Sequence, residues 1–182
     1  VYRMPILDEL LKQDVPARVR SNHALEHATL HVLQERGVAG RLGGISDAGG
    51  FWIYGNVPTE MLLLAAQEAL QRLKKGEAEL AVHPNCGTNM AVSGLVAGGL
   101  AWMGMLGTRG KLSRQLRRLP VAVLLGVIGY QLAQPLGPRL QQQVTTNADV
   151  SRLSVLEVVQ QNVMGTSVHR VHTRWTSESA HA

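Results

Sequence analysis

The chain has 182 residues, 45% of them hydrophobic and only 17% charged, with a formal net charge of +5. This composition excludes a disordered chain, which combines low hydrophobicity with high charge. Residues 89–149 hold six Lys or Arg and one Asp, whereas residues 1–88 hold nine against ten acids. The positive excess is therefore local and does not imply nucleic-acid binding.

In chain order, Ile6, Leu7, Leu10 and Leu11 recur at helical spacing before Pro16 interrupts. A second helix is expected after Arg20, with Ser21 or Asn22 as its N-cap and Gly37 as its end. Glycines then surround Ile45 and Phe51-Trp52-Ile53-Tyr54, which predicts strand, in a hairpin. Pro58 opens an amphipathic helix through Glu60, Leu63, Ala66 and Leu70 to Lys75-Gly76. Leu80-Ala81-Val82 reads as a short strand. The order helix, helix, strand, helix, strand predicts an α/β domain over residues 1–88.

Residues 90–106 and 119–136 carry no charge. A bilayer core needs about 20 apolar residues, so each run approaches span length. Gly94 and Gly98 form a GxxxG, expected to be a helix–helix contact. Arg109, Lys111, Arg114, Arg117 and Arg118 fall in the segment 108–118 between the runs. Such a basic loop predicts an inserted two-helix transmembrane hairpin, residues 89–138, in a bacterial inner membrane with the loop cytoplasmic. No signal-peptide pattern begins the sequence, which argues against carrying the α/β domain across. Residues 139–175 alternate around Met164-Gly165 and predict a β-hairpin that completes the soluble domain. Residues 176–182 read as a polar tail. The expected partners are the lipid bilayer and a membrane protein or a second copy of the chain.

Two strings carry the chemistry. His23 and His27 are four apart on a predicted helix, so their rings share one face and can ligate one Zn²⁺ at about 2.0–2.1 Å. Glu26 completes an H-x-x-E-H pattern in which the carboxylate acts as general base toward a metal-bound water. His31 extends the row and suits a solvated helix face equally well. His83-Pro84-Asn85-Cys86-Gly87-Thr88-Asn89 supplies a third ligand, His83 or Cys86, and amides at Asn85 and Asn89 suited to an oxyanion. Cys86 is the sole cysteine, so no internal disulfide exists. His169, His172 and His181 read as surface residues, with His169 within reach of the site if the hairpin packs there.

The stretches Asn22 to Thr29 and His83 to Asn89 resemble an uncharacterised bacterial membrane family, a domain of unknown function associated with phototrophic bacteria. Gly49-Gly50-Phe51-Trp52, Pro58-Thr59-Glu60 and Gln134-Pro135-Leu136-Gly137-Pro138 fit the same picture. His23, Leu25, Glu26 and His27 also resemble the H-x-L-E-H signature of pitrilysin-type metallopeptidases. That family takes its third ligand from a distant glutamate. The corresponding stretch here is the uncharged run near Trp102, which leaves the third ligand to His83 or Cys86. The expected function is a membrane-anchored, zinc-dependent hydrolase, with metallopeptidase as its narrower form and a non-enzymatic metal- or tetrapyrrole-binding subunit as the alternative.

Overall fold

The computed structural model describes residues 5–38, 40–108, 112–163 and 166–176. They form two compact units, one drawn from residues up to 83 and from 142 onward, the other from residues 84–141.

The first unit contains α1 (Pro5–Lys12), α2 (Asp14–Glu35), β1 (Gly43–Asp47), β2 (Gly50–Tyr54), α3 (Thr59–Lys74), β3 (Leu153–Val163) and β4 (Thr166–Trp175). The strands make one antiparallel sheet in the order β1-β2-β4-β3. The C-terminal hairpin thus inserts its second strand beside β2, which places Phe51 opposite Val171 and Ile53 opposite His169. These four side chains are buried on the face covered by α2 and α3. Leu25, Leu33, Leu62 and Leu73 fill the space between helices and sheet. Each such leucine removed from water contributes about 1.5–3 kcal/mol. On the other face, the Arg170 guanidinium lies 5.0 Å from the Trp52 ring centre and pairs with Asp47 at 2.7 Å.

Helix α2 starts earlier than expected. Pro16 lies in its first turn, where a missing N–H costs nothing because the helix offers it no partner. Ser21 and Asn22 are consequently mid-helix and fully buried, and they do not cap. The Ser21 hydroxyl donates to the Asp149 carbonyl at 3.1 Å. The Asn22 amide donates to the Asp47 carbonyl at 2.8 Å and accepts from the Thr173 hydroxyl at 2.8 Å, tying α2 to two strands. The expected strand at Leu80 is a 3₁₀ turn, Ala78–Ala81, with Leu80 and Ala81 buried. With Gly76 at φ 100° ending α3 only two residues earlier, the chain has no room to extend and pair with a sheet edge.

The second unit contains α4 (Gly87–Gly104), α5 (Leu112–Ala133) and α6 (Leu136–Leu140). Helices α4 and α5 pack antiparallel through small residues. A Cβ at Gly129 would lie 2.9 Å from the Ala97 Cα, and one at Gly104 would lie 2.9 Å from the Ala122 Cα. Gly94 and Gly98 are not part of the α4–α5 contact, since a Cβ at either meets nothing within 4 Å in the chain. Among the described residues, α5 alone is long and apolar enough to cross a membrane. The polar start Gly87-Thr88-Asn89 shortens the apolar part of α4. The expected pair of spans therefore becomes one span-length apolar helix with a shorter helix beside it. Arg114, Arg117 and Arg118 are helical residues of α5. The remaining loop positions, Arg109 and Lys111, lie outside the described residues, as do Met164, Gly165, His181 and residues 177–182 generally.

Candidate metal centre

Helix α2 presents His23, His27, His31 and Gln34 along one face, as residues three and four apart must. This face is not a solvated one, since His27 is 1% exposed and His31 is half-buried. The His23 and His27 ring centres are 4.3 Å apart, and their ligand nitrogens lie within 4.8 Å of one another. Each ring is held by a backbone carbonyl. His23 Nδ1 donates to the Thr145 carbonyl at 2.9 Å, and His27 Nδ1 donates to the Ala81 carbonyl at 2.8 Å. A carbonyl only accepts, so each Nδ1 carries the proton and each lone pair sits on Nε2. A backbone carbonyl fixing the far nitrogen is the usual support of a histidine metal ligand. The donor pair therefore fits a divalent transition metal such as zinc.

His83 joins this row from the segment after the 3₁₀ turn. Its ring centre lies 5.7 Å from that of His27 and 4.9 Å from that of His31. It is 3% exposed. Burial, reinforced by the neighbouring His31 and His27, pushes its pKa down to about 4. His83 is thus a neutral imidazole at neutral pH, the form that ligates. Its Nε2 accepts from the Gln34 amide at 3.4 Å. His31 Nε2 donates to the Val82 carbonyl at 2.9 Å. The structure thus brings His23, His27, His31 and His83 into one row within the first unit, and adds Gln34. The helical spacing from His27 and His31 was the signal for that addition.

Glu26 is 4% exposed and turns toward β1. Its carboxylate accepts from the Ser46 hydroxyl at 2.5 Å and lies so close over Gly44 that a Cβ there would overlap it. Only glycine fits beneath that carboxylate. Asn85, Cys86 and Asn89 belong to the second unit. Cys86 is buried at the N-cap of α4. The Asn89 amide donates to the Pro84 carbonyl at 2.8 Å and accepts from the Gln141 amide at 2.6 Å, fastening the start of α4. Asn85 and Asn89 line a cleft of about 620 Å³ with Met90, Gly94, Tyr130 and Gln134.

The reading of His169 as a surface residue is corrected. It is fully buried on β4, its Nε2 lies 3.1 Å from the Thr59 hydroxyl, and burial lowers its pKa. Its alternation with Val168 was weak because Val168, His169, Arg170 and Val171 are all buried, two on each face of a central strand.

These features define an α/β unit with a histidine-lined helix face, into whose chain a helical segment with outward-facing apolar residues is inserted. The chain belongs to the family described as a domain of unknown function (DUF6391), whose model matches residues 18–158. It is 34% identical over 177 residues to an uncharacterised protein of Picosynechococcus sp., an alignment covering 86% of this chain and 80% of that relative. No solved structure matches the chain.

Proposed function

We propose that the protein binds one divalent transition-metal ion, zinc by donor type, through His23 and His27, and uses it as a metal-dependent hydrolase anchored in a bacterial inner membrane. The observation that carries the reading is the pair of backbone carbonyls that fixes both lone pairs on Nε2. In this reading the metal supplies a water of lowered pKa. His23 and His27 would hold the ion, neutral His83 stands next in the row, and Glu26 would be the base for the attacking water. Cys86, three residues beyond His83, keeps the role of sulfur ligand expected from the sequence, and Asn85 and Asn89 that of amides toward the oxyanion. Membrane anchoring is supported by the second unit, where Leu95 is 77% and Trp102 62% exposed amid many similar side chains. An apolar surface of that extent needs lipid or a partner to cover it. Helix α5 crosses the bilayer, and α4 enters with it.

One observation favours the non-enzymatic reading, a metal-binding subunit. The Glu26 carboxylate is already engaged by Ser46 and seated on Gly44. A Glu26→Gln variant separates the two. Hydrolysis lost with zinc retained near one per chain supports the enzyme. Zinc retained with cellular function intact supports the subunit. Zinc content unchanged in a His23→Ala, His27→Ala double variant overturns both, and a Cys86→Ser variant reports whether sulfur takes part.

A further inference from the structure

Residues 84–141 contain six Lys or Arg and no Asp or Glu. No carboxylate of the second unit can therefore balance its cations. Three of them, Arg114, Arg117 and Arg118, occupy the first two turns of α5, which has no acidic residue in its first turn. That placement runs against helix electrostatics. A helix N-terminus carries partial positive charge and unmatched N–H groups, so added cations there raise the demand for an external anion. The three arginines, with Gly107 and Thr108, line a cavity of about 310 Å³. Thr108 is buried, and its hydroxyl donates to the Met105 carbonyl at 2.7 Å, which fixes one wall. Leu112, Leu116 and Leu119 are exposed on the opposite face of α5 from the arginines.

We propose that this cavity binds a phosphate group, presented in the membrane by an anionic phospholipid headgroup. Guanidinium forks match phosphate oxygens in pairs, and three around one cavity supply more donors than one phosphate needs. Val121 and Leu124, exposed and four and seven residues on from Arg117 along the arginine side of α5, match the acyl region just below a headgroup. The lipid as source of the phosphate rests on the membrane reading. The phosphate site itself rests neither on that reading nor on the metal centre.

The test uses the full chain in a neutral detergent, with native mass spectrometry reading bound short-chain phosphatidylglycerol against phosphatidylcholine. Phosphatidylglycerol is expected to bind preferentially. Arg118→Gln should weaken it about tenfold, as loss of a charge-assisted bidentate contact does. Arg139→Gln removes the same charge from the same unit outside the cavity and should leave binding within about twofold. Arg118→Lys, which keeps charge but loses the fork, should fall between. Should Arg118→Gln fail to fold, Arg114→Gln repeats the test at a second wall. Inorganic phosphate that binds and displaces the lipid would assign the site to phosphate from a soluble source. Equal weakening by the cavity variant and Arg139→Gln, or binding of both lipids alike, would overturn the proposal in favour of diffuse charge.

Discussion

The two units solve opposite packing problems with the same residue types. In the first, Leu25, Phe51 and Leu62 are fully buried, and the buried Asn22 amide has partners on two strands. In the second, Leu95, Leu112 and Leu124 face outward, and the tightest contacts run through Gly104, Gly129, Ala97 and Ala122. Water drives the first arrangement by expelling apolar surface. Between the helices of the second, small residues bring the backbones close enough for dispersion contacts. Leucine content therefore says little about a segment until its surroundings are known.

The sharpest way to break this contrast is to truncate one side chain of each kind. Phe51→Ala should cost about 3–5 kcal/mol, through lost burial and the cavity left behind. Leu95→Ala should change stability in detergent by less than about 0.5 kcal/mol. Chemical denaturation of both variants checks the pair, and comparable losses would mean that Leu95 is packed rather than outward-facing.

A smaller effect distinguishes glycines within the second unit. Gly129→Leu should destabilise the α4–α5 pair by about 1–3 kcal/mol, because the side chain must displace the Ala97 backbone. Gly98→Leu should leave that pair unchanged, since its Cβ meets open space. Cysteine crosslinking between α4 and α5 reads the pairing directly.

A further effect is electrostatic and belongs to the first unit. His83 has its pKa lowered to about 4 by burial and by His31 and His27. Between that value and the ordinary histidine value of about 6.5, the unfolded chain binds the extra proton and the folded chain does not. Stability of the metal-free protein is therefore complete above about pH 6.5, falls as the pH drops, and levels off below about 4. Asp47, held below the usual carboxylate range chiefly by its hydrogen bond to Arg170, adds a loss only at lower pH still. Melting temperatures measured with chelator across pH 7 to 4 should fall, and His83→Gln should flatten the slope. An equal slope in that variant would assign the loss to other groups.

The sequence was informative wherever periodicity met a boundary residue. The hairpin at Phe51–Tyr54, helix α3 behind Pro58 and the C-terminal strands all follow from such signals. It misled where tertiary packing overrode local preference. Ser21 and Asn22 have capping chemistry but spend it on β1, β4 and Asp149, which no local window contains. Leu80-Ala81-Val82 has strand composition but lies too close to the end of α3. The histidine pair was legible because three-four spacing places rings on one face whatever surrounds the helix. The carbonyls that set its tautomers were not, because Ala81 and Thr145 are 54 and 122 residues away in sequence. Ser46 and Gly44, which hold Glu26, were hidden for the same reason.

Those two carbonyls have a further significance. Ala81 lies just ahead of residues 84–141, and Thr145 just behind them. The inserted segment is thus strung between the two points of backbone that hold the rings of His23 and His27. The two rings are anchored to backbone on both sides of the insertion, one hydrogen bond to each flank.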